Sequence, residues 1–200
     1  LGVLYLKRGR TELASERFEE ALRAFSSTQG PYRLFTLLNL AHLARENGHW
    51  EKATSLYTEV IALAVHTGQP DVELGGRAGA ALTELALGRT AAATDQARAI
   101  TARMDGRPDW WFQGREIVEA LRIRIAAARR DYTDAVRLLN ENVEALRTRD
   151  LYAAGWLLGE CAQALPPDKV PFALISDLAP LMESHGYAGL SLRFATLRLI

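Results

Sequence analysis

Leu40-Ala41-His42-Leu43-Ala44-Arg45-Glu46-Asn47-Gly48-His49-Trp50-Glu51-Lys52-Ala53 is the stretch that decides the fold. It reads as the end of one amphipathic helix, a turn centred on a glycine, and the start of a second helix with a small residue one turn in. The same arrangement recurs. Gly9, Gly48, Gly88 and Arg130 occupy equivalent points, separated by 39, 40 and 42 positions. Five residues after each comes an alanine: Ala14, Ala53, Ala93 and Ala135. A period in this range means helical hairpins stacked on one another, each burying its apolar face against the next.

Helical periodicity continues almost end to end, without sustained strand alternation. Gly30-Pro31, Gly68-Gln69-Pro70 and Gly106-Arg107-Pro108 separate successive hairpins, pairing a glycine that can close a helix with a proline suited to start the next. The turns inside each hairpin are short, which forces antiparallel packing. Thr11, Thr90 and Asp131 are expected to cap the second helices. Helices are expected at 1–8 and 11–27, 32–46 and 49–66, 71–87 and 90–104, 109–129 and 132–148. A fifth pair is expected at 151–164 and 168–184, with Pro180 kinking or ending its second member, and a closing helix at 187–199. Residues 1–148 thus form four units, the first shortened at its N-terminus, and 149–200 a degenerate fifth pair with a capping helix.

Composition narrows the function. Basic and acidic residues balance at 24 each, so no electrostatic footprint calls for nucleic acid or an anionic membrane. No apolar run approaches the roughly 20 residues needed to span a bilayer. Cys161 is the only cysteine, which rules out an internal disulfide and suits a reducing cytoplasm. Lys7, Lys52 and Lys169 are the only lysines against 21 arginines, a bias that suggests a GC-rich bacterial genome. Leu1 is not an initiator methionine, and we read the chain as a piece of a longer protein. His42, His49, His66 and His185 are scattered, so no metal set is expected, nor is a phosphate-binding glycine loop or any cofactor.

Leu1-Gly2, Tyr5 and Gly9 followed by Ala14, Phe18 and Ala21 resemble a tetratricopeptide repeat. So do Leu40-Ala41, Ala44 and Gly48 followed by Ala53, Tyr57 and Val60. Two further units, around Gly88 and Arg130, resemble it less closely: Glu84 stands where the family prefers an aromatic and Ile123 where it prefers a small residue. The unit exceeds the usual 34 residues, which is similar to the extended repeats of bacterial regulators of the signal-transducing ATPase and LuxR-like type. The resemblance implies an all-α fold, a right-handed superhelix of antiparallel helix pairs, and a non-catalytic role in binding proteins. Small residues at the helix crossings allow close approach, while Tyr5, Phe18, Trp50, Tyr57, Tyr132 and Leu139 fill the space between units.

In such an array the first helix of each pair lines the concave face. Carrying the family's groove positions over gives Val3, Leu6, Phe35, Leu38, Asn39, His42, Arg45, Leu82, Leu85, Leu121 and Arg124 as partner-binding residues, with Lys7, Glu46, Gly79 and neighbouring small residues beside them. Asn39 matches one position of the clamp that captures acidic C-terminal tails in this family. Val3, Gly75 and Gly79 fill others where Asn, Lys or Arg would be needed, so a chaperone-tail receptor does not fit. The groove suits an amphipathic helix, a peptide or a folded partner, or the protein's own terminal helix. The alternative role is a ligand- or peptide-sensing arm acting on other domains of the same longer chain.

Other clusters have plainer readings. Trp110-Trp111-Phe112 is expected to pack on the preceding helix. His42, Arg45 and Glu46 are expected as solvated groove lining, and Cys161 as a small buried residue. Glu84 is expected to be exposed or to pair with an arginine such as Arg77. Arg122, Arg124, Arg129 and Arg130 are expected to form a solvated, salt-bridged face.

Overall fold

A computed structural model describes residues 1–25, 30–104 and 114–197. Its helices are α1 Gly2–Lys7, α2 Thr11–Ala24, α3 Pro31–Glu46, α4 Trp50–His66, α5 Pro70–Ala86, α6 Thr90–Met104, α7 Arg115–Ala128, α8 Tyr132–Arg147, α9 Leu151–Ala162, α10 Phe172–Ser184 and α11 Ala188–Leu197. Among the described residues there is no strand. Each helix packs on the next, and α3, α5, α7 and α9 also pack on one another in series. This is the all-α array of antiparallel pairs that the repeat predicts.

The four turns close alike. Gly9, Gly48, Gly88 and Arg130 all adopt left-handed backbone, with φ of 71°, 74°, 77° and 63°. In each turn the following N–H reaches back to the carbonyl of Tyr5, Ala44, Glu84 or Ala126, which satisfies a carbonyl the helix end would otherwise orphan. Arg130 is the one non-glycine among them and bears the Cβ strain that glycine avoids. Arg130→Gly is therefore expected to stabilise the fold by about 0.5–1 kcal/mol in urea unfolding.

Ala14, Ala53, Ala93 and Ala135 are all completely buried, as helix crossings demand. Pro31 and Pro70 open α3 and α5. Asp131 caps α8 by accepting the Asp134 N–H, and Asp150 caps α9 in the same way through Ala153. Thr11 lies inside α2 and bonds Glu12 instead, so of the expected caps for α2 and α8 only Asp131 acts as one. Pro180 lies within α10, which continues to Ser184. Pro180 and Ser176, one turn before it, both lie on the exposed side of the helix. A carbonyl on that side can turn to solvent, so the missing N–H need not end the helix. The second helix of the fifth pair starts at Phe172 rather than 168, after a 3₁₀ turn Pro167–Lys169. Pro171 holds Val170 in extended backbone and delays it.

Helices α4 and α5 approach closely through glycines. Gly79 lies under the fully buried Tyr57 ring, and Gly76 faces Val60 and Ile61. Gly79 is thus packing, not groove. The first and last described helices also meet: a Cβ on Gly9 would come within 2.6 Å of the Gly189 backbone, and α1 contacts α11.

Candidate partner-binding site

Asn39, His42, Leu43 and Glu46 are spaced three, four and seven apart, which puts them on one face of α3. That face looks across the array at α9, not at solvent. Between them, Leu6 of α1, Glu116 and Ile117 of α7, and Tyr152, Ala153 and Trp156 of α9 enclose a cavity of about 110 Å³.

Beside the cavity lies a buried ionic network. Glu160 of α9 accepts from Arg45 of α3 at 2.8 Å and from Arg124 of α7 at 2.6 Å. Arg193 of α11 stands 3.9 Å from the same carboxylate and 4.0 Å from Glu46. Glu46 in turn accepts a 2.7 Å bond from the Trp156 indole N–H. Burial alone would raise the Glu160 pKa, but Arg45 and then Arg124 outweigh it and hold the carboxyl below its usual range. Burial also opposes the charge on Arg45, yet Glu160 keeps it firmly protonated. His42 Nδ1 meets the Tyr57 hydroxyl at 2.7 Å. Burial first, then the Arg45 charge, push the imidazole down to about 3, so it is neutral at pH 7. The Nε2 of His42, the Nε and one terminal nitrogen of Arg45, and one of Arg193 are buried without a hydrogen-bond partner among the described residues.

A cation–aromatic contact completes this seam. The Lys7 ammonium sits 5.1 Å from the Tyr152 ring centre and 5.8 Å from that of Tyr187. The concave face is therefore partly covered by the chain's own α9 and α11.

The expected site residues separate accordingly. Leu6, Asn39 and His42 line the cavity. Arg45 and Arg124 are engaged by Glu160, so the expectation that His42, Arg45 and Glu46 form solvated lining is corrected: Arg45 is only 4% exposed. Leu82 and Leu121 are completely buried and Leu38 nearly so. These three lie where successive first helices pack on one another and offer little surface. Phe35 and Leu85 are half-buried against the core, and Val3 is exposed away from the cavity, in an open groove beside Phe18. Glu84 does pair with an arginine, Arg89, while Arg77 bonds Glu73. Of the arginine cluster, Arg122 pairs with Glu119 and Arg129 bonds Thr94. Cys161 is fully buried and its pKa is raised by burial. Trp110-Trp111-Phe112 lies outside the described residues.

Sequence reasoning missed Glu116, Tyr152, Trp156, Glu160 and Arg193. A signal existed: Tyr152, Trp156 and Glu160 recur every four residues, one face of the first helix in the fifth pair.

The tetratricopeptide repeat family model matches residues 1–64. That match covers the first third of the chain. Solved structures support the fold over its whole length. A Podosopora anserina kinesin light chain of nearly identical TPR-like repeats superposes with a TM-score of 0.53 at 18% identity, covering 99% of this chain and 92% of that one. A variant of that protein gives 0.53 at 19% identity, covering 100% and 94%. No curated protein matches the sequence. Tetratricopeptide repeats in general mediate contacts between proteins. Among the described residues no helix is long and apolar enough to cross a membrane.

Proposed function

We propose that this chain is a non-catalytic interaction module that holds a peptide, helix or partner domain against the inner faces of its first helices. Four repeat units (1–148) and a fifth pair with its closing helix (149–200) supply that inner wall. One observation carries the reading. Where α1, α3, α7 and α9 converge, the chain's own side chains leave a cavity bounded by Leu6, Asn39, His42 and Trp156. Pockets of this kind, lined by aromatic and apolar groups with a few polar ones, are where binding energy concentrates. The setting is cytoplasmic, with no direct role for nucleic acid, membrane or cofactor.

The seam favours a second reading, as the sensing arm of a larger bacterial regulator. Bonds joining residues more than a hundred positions apart (Arg45 to Glu160, Glu46 to Trp156) tie the two ends of the array together. A partner entering between them would transmit strain to whatever domain is attached.

The test is a random displayed peptide library selected on the chain, followed by fluorescence anisotropy of the recovered peptides. Leu6→Ala and Asn39→Ala are expected to weaken binding tenfold or more while leaving the helical circular dichroism unchanged. Leu38 and Leu82 are unsuitable probes because they are buried core. Peptides that bind both variants as tightly as the parent would place the contact elsewhere.

A further inference from the structure

The cavity wall carries two carboxylates, Glu46 and Glu116. Glu46 accepts from the Trp156 indole N–H and lies 4.0 Å from Arg193. Glu116 stands in the first turn of α7, and no lysine or arginine among the described residues pairs with it. Its carboxyl is reached by backbone N–H groups of Gly114 and Glu116, and the charged neighbour that acts on it is Asp150, of like sign. Burial first, then Asp150, raise its pKa, as expected of a carboxylate short of a counter-charge. The neighbouring Arg115 is turned to Glu119, 3.5 Å away.

Three further features point to the missing group. The cavity is also walled by Tyr152 and Trp156, whose ring faces attract cations, and the chain already uses one of them to seat its own Lys7. His42 lines the same cavity. Its Nδ1 is turned away to Tyr57 on α4, and its buried Nε2 has no partner among the described residues. Being neutral, that ring adds no positive charge to repel a cation. Finally, at about 110 Å³ the cavity falls well short of the roughly 300–1,000 Å³ typical of small-molecule sites. It admits the head of one side chain.

We propose that this cavity is an anchor pocket for a basic side chain, the lysine or arginine of a partner peptide, with Glu116 as its counter-ion and Tyr152 and Trp156 as its aromatic wall. This rests on the interaction-module reading above and adds the chemistry of the partner.

Calorimetric titration of the full chain with N-acetyl-lysine amide and N-acetyl-arginine amide, against the neutral isosteres N-acetyl-norleucine amide and N-acetyl-citrulline amide, tests it. The cationic amides are expected to bind at least tenfold more tightly than their isosteres. Glu116→Gln is expected to abolish that preference without lowering the thermal midpoint, since it neutralises a carboxylate with no cationic partner among the described residues. Glu12→Gln, on the exposed face of α2, should retain it. Equal binding of neutral and cationic amides, or a preference that survives Glu116→Gln, overturns the proposal. Peptides that depend on Leu6 but carry no basic residue would remove the basic anchor and leave the interaction reading standing. Amides that bind through Glu116 while selected peptides ignore Leu6 would do the reverse.

Discussion

Glu160→Gln is expected to cost the fold about 3–5 kcal/mol in denaturant titration, because it strands buried guanidiniums without a counter-charge. Arg45 is 4% exposed and Glu160 about as deeply buried, and Arg124 shares the same carboxylate oxygen. A surface pair offers the contrast. Arg137, with Asp134 and Glu141 around an exposed side chain, is expected to matter far less when changed to alanine, because water screens the pair. Glu160 also sets an acid limit. Its folded pKa is held below the ordinary carboxylate value, so its stabilisation is complete above that value and is lost as pH falls through the depressed one. The parent should thus lose stability below about pH 4, and Glu160→Gln should lose less over the same range. Glu116 has the opposite sign: its raised pKa means that acid relieves a cost. A Glu160→Gln protein as stable as the parent would show that the network is incidental to the fold.

Gly79→Ala is expected to destabilise by about 2 kcal/mol, although alanine is the better helix former by about 1 kcal/mol. The new Cβ would be driven into two Tyr57 ring carbons and would lie 2.6 Å from the Tyr57 hydroxyl oxygen. Tyr57 cannot easily retreat, since it is fully buried and its hydroxyl is tied to His42. Gly75, one turn earlier on the same helix, is the internal comparison. The nearest atom to its Cβ would be a Leu38 methyl at 3.9 Å, an ordinary contact, so Gly75→Ala should gain up to about 1 kcal/mol. Thermal unfolding of the two variants beside the parent should move in opposite directions. The same sign for both would mean that α4 and α5 do not rely on this close approach.

The sequence announced the array because repetition is a local signal. Gly48 and Ala53 each serve a turn or a crossing within a few residues of themselves, and the same roles recur at Gly9, Gly88 and Arg130. The groove was harder to see. Whether Leu82 or Leu121 faces a partner or a neighbouring helix depends on how sharply successive pairs rotate, and spacing along the chain does not encode that angle. Arg45 and Glu160 lie 115 positions apart. Each alone reads as a surface charge, and only their juxtaposition across the inner face makes them a buried pair. Whether Pro180 ends its helix is set in a related way, by whether the carbonyl it orphans can reach water.

Arrays of this type ordinarily couple each unit only to its neighbours, so they tolerate units being added or deleted and can unravel from either end. The Gly9–Gly189 backbone contact changes that accounting. Because the turn after α1 is seated directly on α11, inserting or removing one pair between them would rotate the two apart and open the join. Amide hydrogens in α1, a helix only six residues long, should exchange with solvent in step with those of α11 rather than ahead of them.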